Sequence, residues 1–438
     1  MRWTIVGKRL VFLAALNIGI IIPARGQRKA VEQAWQRGQQ ALEAYEAGEY
    51  TAYLQHLRQA LALRPNHPGL TYRVAGAYAL TSQPRQAVEW LAQYASMGLA
   101  ADPAGDPDFS SVKDAEGFAA VLAHMEENRR PVGHSEEAFR LAEPTYIPEG
   151  IAYDPTTGAF FVGSVHLRQI VRVDRNGQSA TFATAERDGL WSVLGMAVDA
   201  GRRRLWVGSA AIAQTKELPE DERGQSGLWL FDLDSGALLR RFLLPPDGQP
   251  HVLGDVTVDA NGDVYATDAE TGGLYVLRDG GTELEAFLDP GTLVSPQGVC
   301  FFGEPRQLIV ADYSLGLLVI DPDTRQVEVL PPPEHTTLLG IDGLACYHDR
   351  VIAVQNGVQP HRVIQFYLNE TAERVEREEM LEASNPVFDE PTLGVIVGDT
   401  YYYVANSQWN KFDREGRLPD AVSLRGPVIL KTVIPHIP

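Results

Sequence analysis

One short pattern, returning six times, constrains this chain more than any other feature. "IDGLACYHDRVIAVQN" (341–356) sets an acid before a glycine, runs through apolar residues, turns on a polar stretch and closes a second apolar run on an amide. The same grammar opens at Glu149 (EGIAYD), Leu194 (LGMAVD), Gly254 (GDVTVD), Gln297 (QGVCFF), Asp342 (DGLACY) and Leu393 (LGVIVG). The second runs close on Ser164, Ser209, Asp268, Asp312, Asn356 and Asn406. Glycine fills the second position everywhere except in the third copy, which has Asp255. Successive copies start 45, 60, 43, 45 and 51 residues apart. A further extended segment follows each closing residue, and turn signals such as DRNGQ, DLDSG and DPDTR separate the outer segments. Four strands per copy at this spacing is a propeller blade. The chain therefore reads as mainly β, a six-bladed β-propeller over 148–438 preceded by a small α-helical domain. A pair of β-sandwiches leaves the repeat unexplained. FRLAE (139–143) is read as an outer strand that closes the ring.

In a blade the innermost strand starts, and the second strand ends, at the same face of the disc. The first residues of the copies therefore ring the channel mouth: Glu149, Leu194, Gly254 with Asp255, Gln297, Asp342 and Leu393. Crowded carboxylate and amide oxygens suit a hard cation, calcium above all. Each acid taken alone fits a second role, accepting backbone N–H groups at a turn. Asp268, Asp312, Asn356 and Asn406 fall a layer outwards and are read as structural hydrogen-bonding residues. His166, His251, His335 and His361 fall in loops of the mouth face, where a histidine serves as general base or is simply a surface residue. The insertion AAIAQTKELPEDERGQS (210–226) lies on this face too, as a lid or as a loose acidic loop.

Upstream, residues 29–98 carry helical spacing and no strand pattern. Tyr53 and Ala87, and Leu57 and Leu91, stand 34 residues apart, which resembles tetratricopeptide repeats over 27–105. The tract 106–147 is read as a degenerate helical pair with a linker. Such a domain either recruits a protein partner or caps the propeller. Arg2, Lys8 and Arg9, the apolar run 10–22 and ARG at 24–26 read as a signal peptide over 1–26. The mature protein is then expected in the periplasm or outside the cell, with no transmembrane segment after cleavage. A formal charge of −19 argues against a nucleic-acid partner. The two cysteines, Cys300 and Cys346, lie in expected buried strands and are read as buried thiols, able to pair only if those strands come within disulfide reach.

Six blades with an acid in PEGIAYD (148–154) and another in IDGLACY (341–347) resemble the regucalcin–gluconolactonase–paraoxonase superfamily over roughly 148–434. That resemblance implies a divalent ion, usually calcium, in the channel mouth, polarising a lactone or ester carbonyl for hydrolysis. Its ligands there are a glutamate, two asparagines and an aspartate. The glutamate falls on Glu149 and the aspartate on Asp342. One asparagine falls on Gln297, and the other on Gly254, beside Asp255. The resemblance thus implies a metal set of Glu149, Asp255, Gln297 and Asp342, with Glu149, Asp342 and His251 as catalytic candidates and a small-molecule substrate at the mouth. A non-catalytic propeller that binds a ligand or protein is the alternative.

Overall fold

The computed structural model describes residues 24–304, 306–413, 415–419 and 422–435. The expected signal peptide lies outside them except for 24–26, where the first helix begins. The innermost strands are Pro148–Asp154, Ser192–Asp199, Leu253–Val258, Pro296–Phe302, Ile341–Tyr347 and Gly394–Val397, each at the edge of its own antiparallel sheet. Each touches the next around the ring and the sixth touches the first, so the propeller closes.

Apolar side chains fill every seam between blades. Phe161, Trp191, Trp229 and Leu205 join blades one and two, and Ile309, Val319, Ile364 and Phe366 join blades four and five. Val162 and Val173 meet Val404 and Ile429 where blade six returns to blade one. Trp191 and Trp229 stack edge to face at 5.2 Å, worth about 1 kcal/mol beyond the area they bury.

The recurring glycine has a packing cause. A Cβ on Gly150 would lie 2.1 Å from the Leu194 carbonyl oxygen, and one on Gly343 would lie 2.4 Å from that of Thr392. Four inner strands, at Gly150, Gly195, Gly298 and Gly343, press their glycine against the backbone of the next blade. In five blades the strand register also breaks across the two residues that open the copy, between Pro148 and Ile151, Val193 and Met196, Leu253 and Val256, Pro296 and Val299, and Ile341 and Leu344. Such irregularities turn a side chain out of the ladder, here at the channel mouth.

The N-terminal connection sews the ring shut. Glu136–Arg140 pairs with Val428–Val433 as the outer strand of blade six, three residues earlier than the expected 139–143. Val132–Gly133 adds a strand outside Val375–Ala383 of blade five. Among its described residues the stretch WNKFDREGRLPD holds no strand. It belongs to the long connection between Thr400–Val404 and Val428–Val433.

Cys300 and Cys346 form a disulfide, which corrects the expectation of two buried thiols. They sit on inner strands of adjacent blades with Cα atoms 5.7 Å apart. The close approach of these two strands that demands glycine at 298 also brings the cysteines within bonding reach.

Helices α1 (Ala24–Glu46), α2 (Tyr50–Leu63), α3 (Pro68–Leu80), α4 (Pro84–Ser96) and α5 (Phe118–Asn128) form the upstream domain. α1 packs on α2 and α3 on α4. Tyr53, Leu57, Ala87 and Leu91 are all buried in one core. A single 3-10 turn, Pro107–Val112, seats Phe109 in that core, with the hydroxyls of Tyr45 and Tyr72 donating to Asp108 and Asp106. The domain rests on mouth-face loops of the propeller. Arg28 donates to the Leu293 carbonyl at 2.5 Å, Arg64 to that of Ser314, and Asn66 to that of Pro333 at 3.2 Å. No described helix is long and apolar enough to cross a membrane.

Candidate functional site

A cavity of about 460 Å³ opens at the channel mouth. Glu149, Asp255, Gln297, Asp342 and His251 all line it, so the structure brings the sequence candidates together. Leu194, Leu393, Ile212 and Val252 supply apolar wall. The insertion at 210–226 is a folded flap on one side. Gly224 N and Ala211 O, and Ala211 N and Gln225 O, bond at 2.8 Å across its base. Trp191 Nε1 donates to Glu222 Oε2 at 2.6 Å.

Glu149 is buried and its Oε2 accepts the indole N–H of Trp409 at 2.5 Å. Burial pushes its carboxyl well up, the charges of Asp342, Glu390 and Asp255 add to this, and the Trp409 N–H offsets part. Asp342 Oδ2 accepts from Asn356 Nδ2 at 2.6 Å. Burial pushes Asp342 up to about 7 against the help of Asn356, and Glu390 pushes the same way. Asp255 is also pushed up to about 7 by burial, with the Val299 and Val256 N–H groups opposing and Asp342 adding. Each acid keeps some surface on the cavity, yet the surrounding protein deprives it of water.

Asp255 departs from the expected ligand role. It occupies the glycine position of its copy, and its Oδ2 accepts the Val299 N–H of blade four at 3.0 Å. A Cβ on Gly195 would lie 2.5 Å from its Oδ1, so the carboxyl is wedged between neighbouring blades. Among the described residues no three His, Cys, Asp or Glu side chains gather as one metal cluster. The remaining donors are the mutually repelling pair Glu149 and Asp342, with the amide of Gln297, whose Nε2 donates to Ser295 Oγ at 3.1 Å. Two carboxylates plus a neutral amide oxygen fit a calcium-like ion by donor chemistry.

His251 is held on both nitrogens, Nδ1 by Asp268 Oδ2 at 2.6 Å and Nε2 by Asp247 Oδ1 at 3.2 Å. Of the mouth histidines it alone lines the cavity. His166 bonds the Gln214 carbonyl at 2.8 Å behind the flap, His361 contacts Gln359, and His335 is exposed. Asp268 and Asp312 are fully buried and serve backbone N–H groups, including those of Val252 and Val294. Asn406 accepts from Val428 N. Asn356 differs, because it touches Asp342.

Sequence reasoning missed Trp409, Glu390 and Tyr313. Trp409 and Glu390 come from irregular loops after and before the inner strand pair of the sixth copy, where no strand signal gives register. Tyr313 follows a closing residue directly, an offset that could have marked it.

The class defined here is a six-bladed β-propeller with a helical domain on its mouth face. No family model matches the chain, and no curated protein matches it. Among solved structures it is similar to the luciferin-regenerating enzyme, with a TM-score of 0.48, 14% identity, and 69% of this chain and 95% of that one covered. It is similar to the PQQ-bound aldose sugar dehydrogenase of Streptomyces coelicolor, with a TM-score of 0.47, 14% identity and coverage of 70% and 99%. It is also similar to a gluconolactonase of Xanthomonas campestris, with a TM-score of 0.46, 14% identity and coverage of 70% and 99%. No activity follows from likenesses this remote.

Proposed function

We propose that this chain is an exported propeller that binds a divalent cation and a small organic ligand in the mouth cavity and hydrolyses a lactone or ester there. The supporting observation is the pairing of Glu149 with Asp342. Both are withdrawn from water and repel each other, and their hydrogen bonds come from Trp409 and Asn356, not from a basic side chain. Such a pair at neutral pH holds a proton or attracts a cation. Glu149, Asp342 and the Gln297 amide would hold calcium, which when bound supplies Lewis-acid polarisation of a carbonyl.

The chain's own residues do the rest. Leu194, Ile212, Val252 and Leu393 limit water around the ligand. Asp268 orients the His251 ring through Nδ1. Asp247 is half exposed; once it swings away and the Nε2 proton is lost to solvent, that nitrogen takes a proton from the attacking water as the water oxygen adds to the carbonyl. The same proton then passes to the leaving alkoxide as the ester bond breaks. The disulfide supports export, because such bonds persist in oxidising compartments.

The engagement of both His251 nitrogens favours a second reading, a propeller that binds its ligand without turnover. Hydrolysis of a lactone and ester panel by the full chain, with calcium and with a chelator, tests the proposal. Calcium-dependent turnover that disappears in Glu149→Gln supports it. Saturable ligand binding with no turnover supports the second reading, and neither binding nor turnover overturns both.

A further inference from the structure

Asp342 hangs on mouth loops of blades four and five, and the helical domain grips those same loops from two sides. On one side Arg64, just past α2, donates to the Ser314 carbonyl. The adjacent Tyr313 hydroxyl donates to Asn356 Oδ1 at 3.2 Å, and Asn356 Nδ2 reaches Asp342 Oδ2 at 2.6 Å. On the other side Arg362, 1% exposed, donates from Nε to Gln355 Oε1 at 2.6 Å and from Nη1 to the Met97 carbonyl beyond α4 at 2.9 Å. Gln355 in turn donates to the Thr337 and Leu339 carbonyls at 2.9 and 2.6 Å.

The loops between these ties have little slack. Gly340 N donates to Tyr313 O at 2.9 Å and Gly357 N to Gly340 O at 3.0 Å. A Cβ on Gly357 would lie 2.5 Å from Gly340 Cα and 2.7 Å from the Tyr313 ring. A buried guanidinium is costly, and Arg362 Nη2 finds no hydrogen-bond partner among the described residues. An apolar residue would pack this seam at lower cost. What arginine adds is a rigid tie with one end on the helical domain and the other on the residue next to Asn356.

We propose that the helical domain is a brace for Asp342, with Arg64, Tyr313 and Arg362 as positioning residues that act through Asn356 and Gln355. The inference rests on the reading of Glu149 and Asp342 as a cation site. The test uses the full chain and its variants Arg64→Ala, Arg362→Met and Tyr313→Phe. Amide hydrogen exchange over 340–347 is measured without metal, and calcium affinity is measured by calorimetry. Exchange at 340–347 should accelerate in the two arginine variants while 148–154 stays at the wild-type rate. Calcium affinity should fall roughly tenfold or more in all three, the loss typical when a residue behind a metal ligand is removed. In Tyr313→Phe this loss should come with an unchanged melting temperature, which a merely structural role does not produce. Wild-type exchange and wild-type affinity across the variants overturn the brace. Absence of calcium binding in the wild type overturns the cation reading, and exchange then decides the brace alone. If Arg362→Met does not fold, exchange in Arg64→Ala and calcium affinity in the exposed Tyr313→Phe decide it.

Discussion

Asp342→Asn removes a charge and little else. The new amide oxygen still accepts the Asn356 N–H that Asp342 Oδ2 accepts now. The folded protein pushes this carboxyl from 3.8 up to about 7. Between those values the folded chain holds a proton that the unfolded chain has released. The contribution of Asp342 to stability therefore falls as pH rises from about 4 to about 7, and stays lowered above that. At about 1.4 kcal/mol per pKa unit, the interval sets a ceiling near 4 kcal/mol on what ionised Asp342 costs at pH 8. Part of this is relieved when Glu149 keeps its own proton, so a gain of about 2–4 kcal/mol is expected for the variant at pH 8. Urea unfolding followed by tryptophan fluorescence in chelator, at about pH 4.5 and pH 8, measures it. The variant should be the more stable protein at pH 8, with most of its advantage gone at pH 4.5. Equal stability at pH 8, or the same loss at both values, refutes the reasoning that Asp342 is buried without a compensating charge.

Gly150→Ala places its Cβ against the Leu194 carbonyl and should cost about 3 kcal/mol or more by crowding, seen as a lowered melting temperature or loss of folded protein. Cys346→Ser opens the link between inner strands four and five and should cost about 2–4 kcal/mol in denaturant unfolding, with reductant then having no further effect. Trp409→Phe removes the N–H that opposes the rise of the Glu149 carboxyl. Its calcium binding should weaken roughly tenfold and shift to higher pH in calorimetric titrations.

The ring was legible because its cause is local and repeated. Glycine at 150, 195, 298 and 343 answers the same close approach of backbones, so the spacing declares the blades and places Glu149, Gln297 and Asp342 at one mouth. Asp255 matched the register but not the role, since a side chain in a glycine position is spent joining blades. Trp409 and Glu390 were not legible, because they reach the site from loops whose course depends on distant contacts. The disulfide was not legible either. It depends on how two inner strands stagger around the channel, which one strand's pattern does not contain. The seat of the helical domain on the mouth face rests on a few arginines meeting carbonyls far away in sequence, such as Arg362 on Met97.

Calorimetric titration of calcium into the metal-free full chain at neutral pH, repeated in buffers of different ionisation heat, tests the paired acids most directly. One saturable site per chain is expected, with protons released on binding because Glu149 and Asp342 hold them at that pH. Binding should disappear in Glu149→Gln. No binding, or binding that survives that change without proton release, contradicts the cation site.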